Sequence, residues 1–298
     1  MIRPRAISAA VTTGFLLLAM VISALFAFQV ASGAIYPLSE AHRCALDWEE
    51  GIAAVEAGAT EYQGVCVSFG GVLSEEGVPP DFYDQLAEYR RRVAAELEEL
   101  TGDVWRSAGN RMGGFPLVFF SLLVGAYLAG STLASGTAAW SLSNGWTRQT
   151  WIGSLVALTL ILIAAAYLVF TGVFIAGVLL QVNGLGLTAS LDLPGPSYLI
   201  PLPGLLFYGL VGIGAGLLTG RDGVGMMIAF IFAITDFVVA NTLELLPAVP
   251  SSFHQAAVGG EMARVSGTTG ALTLMGAAVV LAVGLHFYFV RRRDVPDR

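Results

Sequence analysis

The sequence predicts an all-α polytopic membrane protein of six transmembrane helices, with a small, mostly helical extracytoplasmic domain between the first and the second. Three observations carry that expectation. The chain of 298 residues is 55% hydrophobic and only 12% charged, with a mean hydropathy of +0.72, which is more apolar surface than one soluble core can hide. Six apolar runs, near 7–29, 115–135, 152–180, 199–219, 224–243 and 271–290, match the roughly 20 residues needed to cross the hydrocarbon core. Seven arginines fall on one side if all six runs cross. Arg3 and Arg5 precede the first run, Arg148 and Arg221 occupy two short turns, and Arg291, Arg292 and Arg293 follow the last. The positive-inside rule then puts both termini and both turns in the cytoplasm. Segment 31–112 lies outside, and its own Arg90, Arg91, Arg92 and Arg106 do not count against this, because long segments translocate largely regardless of charge.

Residues 1–30 form the first transmembrane helix. Two arginines, an apolar run and the small residues Ala31-Ser32-Gly33-Ala34 also fit a cleavable signal peptide. The run exceeds the roughly 7–15 residues of a signal h-region, which favours an uncleaved anchor.

Residues 31–112 form the extracytoplasmic domain. The chain's two cysteines, Cys44 and Cys66, both fall there. In a translocated segment they read as one disulfide, which the cytosol would reduce, with a pair of free thiols as the alternative. Most of the acids behind the net charge of −7 lie between residues 40 and 103, so the acidity is local. After Pro79-Pro80-Asp81, the residues Phe82, Leu86, Tyr89, Val93, Leu97, Leu100 and Val104 recur at three- and four-residue steps, which predicts an amphipathic helix. Its apolar face serves either as a lid or docking surface, or as packing onto the rest of the domain.

Residues 113–298 hold the other five helices. The 152–180 run is longer than a crossing requires, so it tilts or projects past the bilayer. Leu191-Asp192-Leu193-Pro194-Gly195-Pro196 reads as a turn. Gly212, Gly216 and Gly220 at spacing four give the fourth span a nearly bare flank for close helix approach. Gly225, Ala229, Ala233, Asp236 and Ala240 share one stripe of the fifth span, which points the carboxylate of Asp236 into the bundle. Asp236 is then either a proton or cation site, or a hydrogen-bonded structural pin or dimer contact. Residues 244–270 belong outside, as an ordinary loop or a short re-entrant element with a mildly helical stretch from Ser251 to Ser266.

His42, His254 and His286 sit in different segments with no metal-ligand spacing, and read as interfacial or loop residues. No metal site is expected. No nucleophile, metal cluster or carboxylate pair marks the spans, which argues against an intramembrane enzyme. All 15 basic residues are arginine. A P-loop needs a lysine on the phosphates, so this chain carries no complete Walker A motif and any nucleotide-driven work is powered by another chain.

The polar segment between the second and third spans runs through Ser135-Gly136-Thr137, then Trp140, Leu142, Trp146 and Arg148, and enters the third span at Trp151. It resembles the ABC-2 type transporter permeases, in which an S-G-T or R-x-G-T turn, a short leucine-containing coupling helix and a basic residue precede the third span. The large outer segment after the first span and the second short turn, Gly220-Arg221-Asp222-Gly223, are similar too. Where such permeases commonly carry a glutamate four residues before the turn glycine, this chain has Thr132, and it has no lysine beyond Arg148. Trp140, Leu142 and Trp146 then offer apolar knobs in place of an ionic contact.

The resemblance implies the membrane subunit of an ABC exporter in the cytoplasmic (inner) membrane of a bacterium, multi-pass and with both termini cytoplasmic. Its coupling turn, 136–150, would dock on a separate P-loop ATPase that holds the ATP and Mg. This chain itself would bind no cofactor, would pair with a second copy or a related permease in the lipid bilayer, and would bind no nucleic acid. The spans offer few polar groups, so the expected substrate is amphipathic. The alternative is a non-transporting membrane sensor or scaffold whose disulfide-closed outer domain binds a ligand.

Overall fold

Apolar residues at helical spacing, interrupted by glycine and proline, build ten α-helices and one short hairpin among the described residues of this computed structural model. It describes residues 4–70, 78–102, 104–189, 195–242, 250–258 and 266–291. In chain order they are α1 (Pro4–Glu56), β1 (Glu61–Gln63), β2 (Ser68–Gly70), α2 (Pro80–Thr101), α3 (Val104–Met112), α4 (Phe115–Ala134), α5 (Thr137–Ser143), α6 (Arg148–Gly184), α7 (Leu202–Thr219), α8 (Asp222–Thr242), α9 (Pro250–Ala257) and α10 (Gly267–Arg291). Among the described residues four helices are long and apolar enough to cross a membrane: 116–134 in α4, all of α6, all of α7 and 267–288 in α10. The first apolar run lies within α1, and the fifth lies in α8 up to Thr242, where the described residues end. The expected turn at 191–196 falls largely on residues 190–194, outside those described, and a 3-10 turn follows at Pro196–Leu199.

Two helices are longer than a single membrane crossing requires. α1 continues through Pro37 for 53 residues and α6 runs for 37, lengths of about 80 and 55 Å at 1.5 Å per residue. The chain divides into two compact units, and both of these helices belong in part to each: one unit comprises residues 1–20, 108–172 and 194–298, the other 21–107 and 173–193.

In the larger unit α4 packs on α7 and α8, and α10 packs on α7 and α9. Glycine sets how closely α4 and α7 approach. Gly212 lies against the Leu122 carbonyl, Gly216 against the Ala126 carbonyl, and Gly125 against the Gly209 carbonyl, so a Cβ at any of them would strike backbone. This is the close approach through small residues that compensates for the weak hydrophobic drive between helices in lipid. Around the contact lies a core of Ala129, Ile152, Leu155, Leu210, Ile213 and Leu217. Gly220 is a departure from the expected glycine flank: a Cβ there would meet nothing within 4 Å, and its φ of +63° marks the left-handed turn that ends α7. On α8 the small stripe Gly225, Ala229, Ala233 is buried while Met227, Ile228, Phe230, Ile231 and Ile234 are exposed. The side chain of Ala240, expected on the same stripe, lies outside those described.

In the smaller unit the disulfide Cys44–Cys66 joins α1 to the hairpin. The strands pair antiparallel, Tyr62 opposite Phe69. The apolar stripe of α2 packs onto this unit: Phe82, Leu86, Tyr89 and Val93 cluster with Ala45, Trp48 and Ile52 of α1. An exposed ion pair of Arg90 with Glu49, at 2.8 Å, flanks that contact and adds little to it. Side-chain packing along the unit's α1–α6 seam is close as well, with Gly177 facing Ala31 and Phe28 and Gln181 donating to the Ser32 hydroxyl at 3.1 Å.

Candidate functional site

Two places in the larger unit gather chemistry-bearing side chains. The first is centred on Asp236, which is 7% exposed on the buried face of α8. The Tyr208 hydroxyl on α7 donates to its Oδ2 at 2.6 Å. Ser251, at the start of α9, donates its hydroxyl to Oδ1 at 3.0 Å, and its backbone N–H points to the same oxygen at 3.4 Å. A carboxyl group that collects donors on both oxygens has its hydrogen-bonding capacity met inside the bundle. The geometry is that of a hydrogen-bonded pin between α7, α8 and α9.

One turn further along α9 lies His254, 4% exposed. The sequence expectation of an interfacial or loop histidine is therefore corrected for this residue. Its Nε2 sits 2.6 Å from the Gly113 carbonyl, and a carbonyl only accepts, so Nε2 carries the proton. Nδ1 is buried with no hydrogen-bond partner among the described residues and lies against Gly204 of α7, where a Cβ would strike the ring. The Tyr208 ring meets the imidazole edge-on, centroids 5.9 Å apart. Asp236, Tyr208, Ser251 and His254 line a cavity of about 60 Å³ together with Gly114, Val118, Ala233, Gln255 and Val258. That volume holds a few water molecules. Among the described residues no group of three metal-ligating side chains occurs.

The second place is the segment between α4 and α6. Gly136 takes φ +71°, a left-handed conformation that suits glycine, and turns α4 into α5. Thr137 begins α5, its hydroxyl 2.7 Å from that of Ser135. Ala138 and Ser141 are buried, Ala138 within the core that includes Trp151 and Ile152. Leu142 is half-buried. Trp140 and Trp146 face outward at 62% and 47% exposure. The Asn144 side chain donates to the Trp140 carbonyl at 2.8 Å and closes the short helix. Gly145, at φ +86°, leads to Thr147, whose hydroxyl accepts the Thr150 N–H at 3.1 Å and caps α6. Arg148 is the first residue of α6. The second turn lies at the same end of α4: a Cβ at Gly130 would come within 2.6 Å of the Asp222 Cα. Asp222 opens α8, where a carboxylate suits the helix N-terminus, and Arg221 beside it is exposed.

No family model, curated protein or solved structure matches this chain. The remaining named residues stand apart from both places. Cys44 and Cys66 close the smaller unit, where Asp47 Oδ2 accepts the backbone N–H groups of Cys66 and Val67 at 2.6 and 3.0 Å and Oδ1 accepts the Tyr62 hydroxyl at 2.7 Å. Burial works against the Asp47 carboxylate, but these donors outweigh it and hold its pKa below the usual value. Chiefly through its bond to Asp47, Tyr62 is pushed up to about 12. Sequence reasoning missed Tyr208, Ser251 and His254 as partners of the Asp236 region. The available signals were a lone tyrosine in a glycine-rich span and a serine directly after Pro250.

Proposed function

We propose that this chain is the membrane subunit of an ATP-driven exporter of the ABC-2 type, moving an amphipathic substrate. The observation that supports it best is α5, a short helix anchored by Ala138 and Ser141 that leaves Trp140 exposed, with the Gly220–Gly223 turn at the same end of α4. On this reading α1, α4, α6, α7, α8 and α10 make six crossings of a bacterial cytoplasmic membrane, both termini and both turns face the cytoplasm, and the smaller unit lies outside. Trp140, Leu142 and Trp146 would enter a groove on a separate P-loop ATPase that binds ATP and Mg. Closure of two such ATPases would push α5 against the core at Ala138 and rearrange a pair of permease copies.

The test is purification in mild detergent from the native host. Co-purification of a P-loop ATPase, lost when Trp140 and Trp146 are both changed to Asp, supports the reading. An intact protein that brings no ATPase sinks it.

A second reading, a membrane sensor, draws on the smaller unit. A disulfide and the Asp47 cluster fasten its hairpin to α1, a rigidity that transport does not by itself require.

A further inference from the structure

His254 holds α9 in a way that admits one proton and not two. Its Nε2–H is committed to the Gly113 carbonyl at 2.6 Å, while Nδ1 abuts Gly204 with no partner. A second proton on Nδ1 would be a buried, charged donor without an acceptor, one of the costlier states a side chain can occupy. The groups that face the ring are few. From α7 comes the Tyr208 ring, edge-on at 5.9 Å. The junction of α3 and α4 contributes only the Gly113 carbonyl. From α8 comes Asp236, the one charged side chain lining the shared cavity. Against α10 the contact is by backbone, Gly270 on the Phe253 carbonyl and Gly267 on that of Ala256. Among the described residues Asp236 is therefore the one carboxylate a protonated ring could turn to, and its oxygens already hold Tyr208 and Ser251. Pairing with it would break the His254–Gly113 bond and compete with Ser251, and among the described residues those are the side-chain pins that fasten α9.

We propose that His254 is a proton-operated latch: in its neutral form it locks α9 onto the bundle, and taking up a second proton frees α9 and opens the cavity beside Asp236. The device needs no ATPase and stands apart from the exporter reading.

Hydrogen exchange of the full-length protein in nanodiscs, corrected for intrinsic rates, tests it. Residues 250–258 are expected to lose protection by about tenfold or more between pH 7.5 and pH 5, the range in which an opened histidine titrates. The centre of α7 should stay protected. His254→Gln keeps an N–H for the Gly113 carbonyl but cannot titrate, and its α9 should show a flat pH profile. Ser251→Ala, which keeps His254, should start less protected and remain pH-dependent. Unchanged α9 protection in the unsubstituted protein overturns the proposal, as does simultaneous loss in α7, or an undiminished pH response in His254→Gln.

Discussion

Tyr208 on α7 and Asp236 on α8, 28 residues apart in sequence, share a buried hydrogen bond of 2.6 Å. Replacing Tyr208 with Phe removes the donor and leaves Oδ2 bare in an apolar setting. The expected cost is about 1–2 kcal/mol, since polar contacts between membrane helices are worth less than the desolvation argument alone suggests. Thermal denaturation in detergent reads it. A double-mutant cycle with Asp236→Asn should be non-additive, and strict additivity would mean the two side chains do not interact.

Gly212 and Gly276 separate packing from mere helix composition. A Cβ at Gly212 strikes the Leu122 carbonyl, whereas one at Gly276 meets nothing within 4 Å. Gly212→Ala should lower the melting temperature by several degrees through forced separation of α4 and α7. Gly276→Ala should leave it unchanged or raise it slightly. Equal effects in the two variants would refute the backbone contact.

Cys44 and Cys66, 22 residues apart, close a loop worth about 3 kcal/mol in the chain-entropy picture. Reduction, or Cys66→Ser, should expose the hairpin and α2 to limited proteolysis. The α4–α7 core should resist as before. Cleavage patterns identical in oxidised and reduced protein would contradict a stabilising role.

The Asp47–Tyr62 pair makes the smaller unit sensitive to pH at both extremes. Tyr62 ionises at about 12 instead of its ordinary 10, so its contribution is whole below pH 10 and is lost as pH rises from 10 to 12. Asp47 is shifted downward. Its contribution is present above the unfolded carboxylate range and disappears as pH falls through the folded value. Both groups are half-buried at the surface of the unit, so solvent screens them and the effects are modest. Fluorescence of Trp48, which packs edge-on to Phe82 at 5.1 Å, follows the unit. Tyr62→Phe should abolish the alkaline transition and spare most of the acid one.

Much of the helix layout was legible in the sequence because it depends on local periodicity and composition. The α4 and α7 runs appear within three residues of their sequence boundaries, since a glycine or proline stands at each end. The amphipathic stretch after Pro79 begins at Pro80, but the helix stops at Thr101, and a separate α3 starts at Val104. Gly102 there keeps helical angles, so nothing in the periodicity announced the break. Length was harder. The apolar run of the first span gave no sign that α1 continues to Glu56, because the polar residues after Gly33 remain compatible with a helix that is solvated on one side.

By itself the sequence determined a predominantly helical chain with long apolar helices, a small-residue flank on α7, the face of α8 that carries Asp236, and the pairing of its only two cysteines. These follow from spacing along one helix or from having a single possible partner. Tertiary structure alone decided that His254 is buried against Gly113, 141 residues earlier, that Ser251 meets Asp236, and that Gly220 ends a helix where Gly212 and Gly216 pack one. Such outcomes depend on which backbones come close enough for a carbonyl, a hydroxyl or a missing Cβ to matter. That closeness is set by the packing of whole helices, which no local pattern of residues encodes.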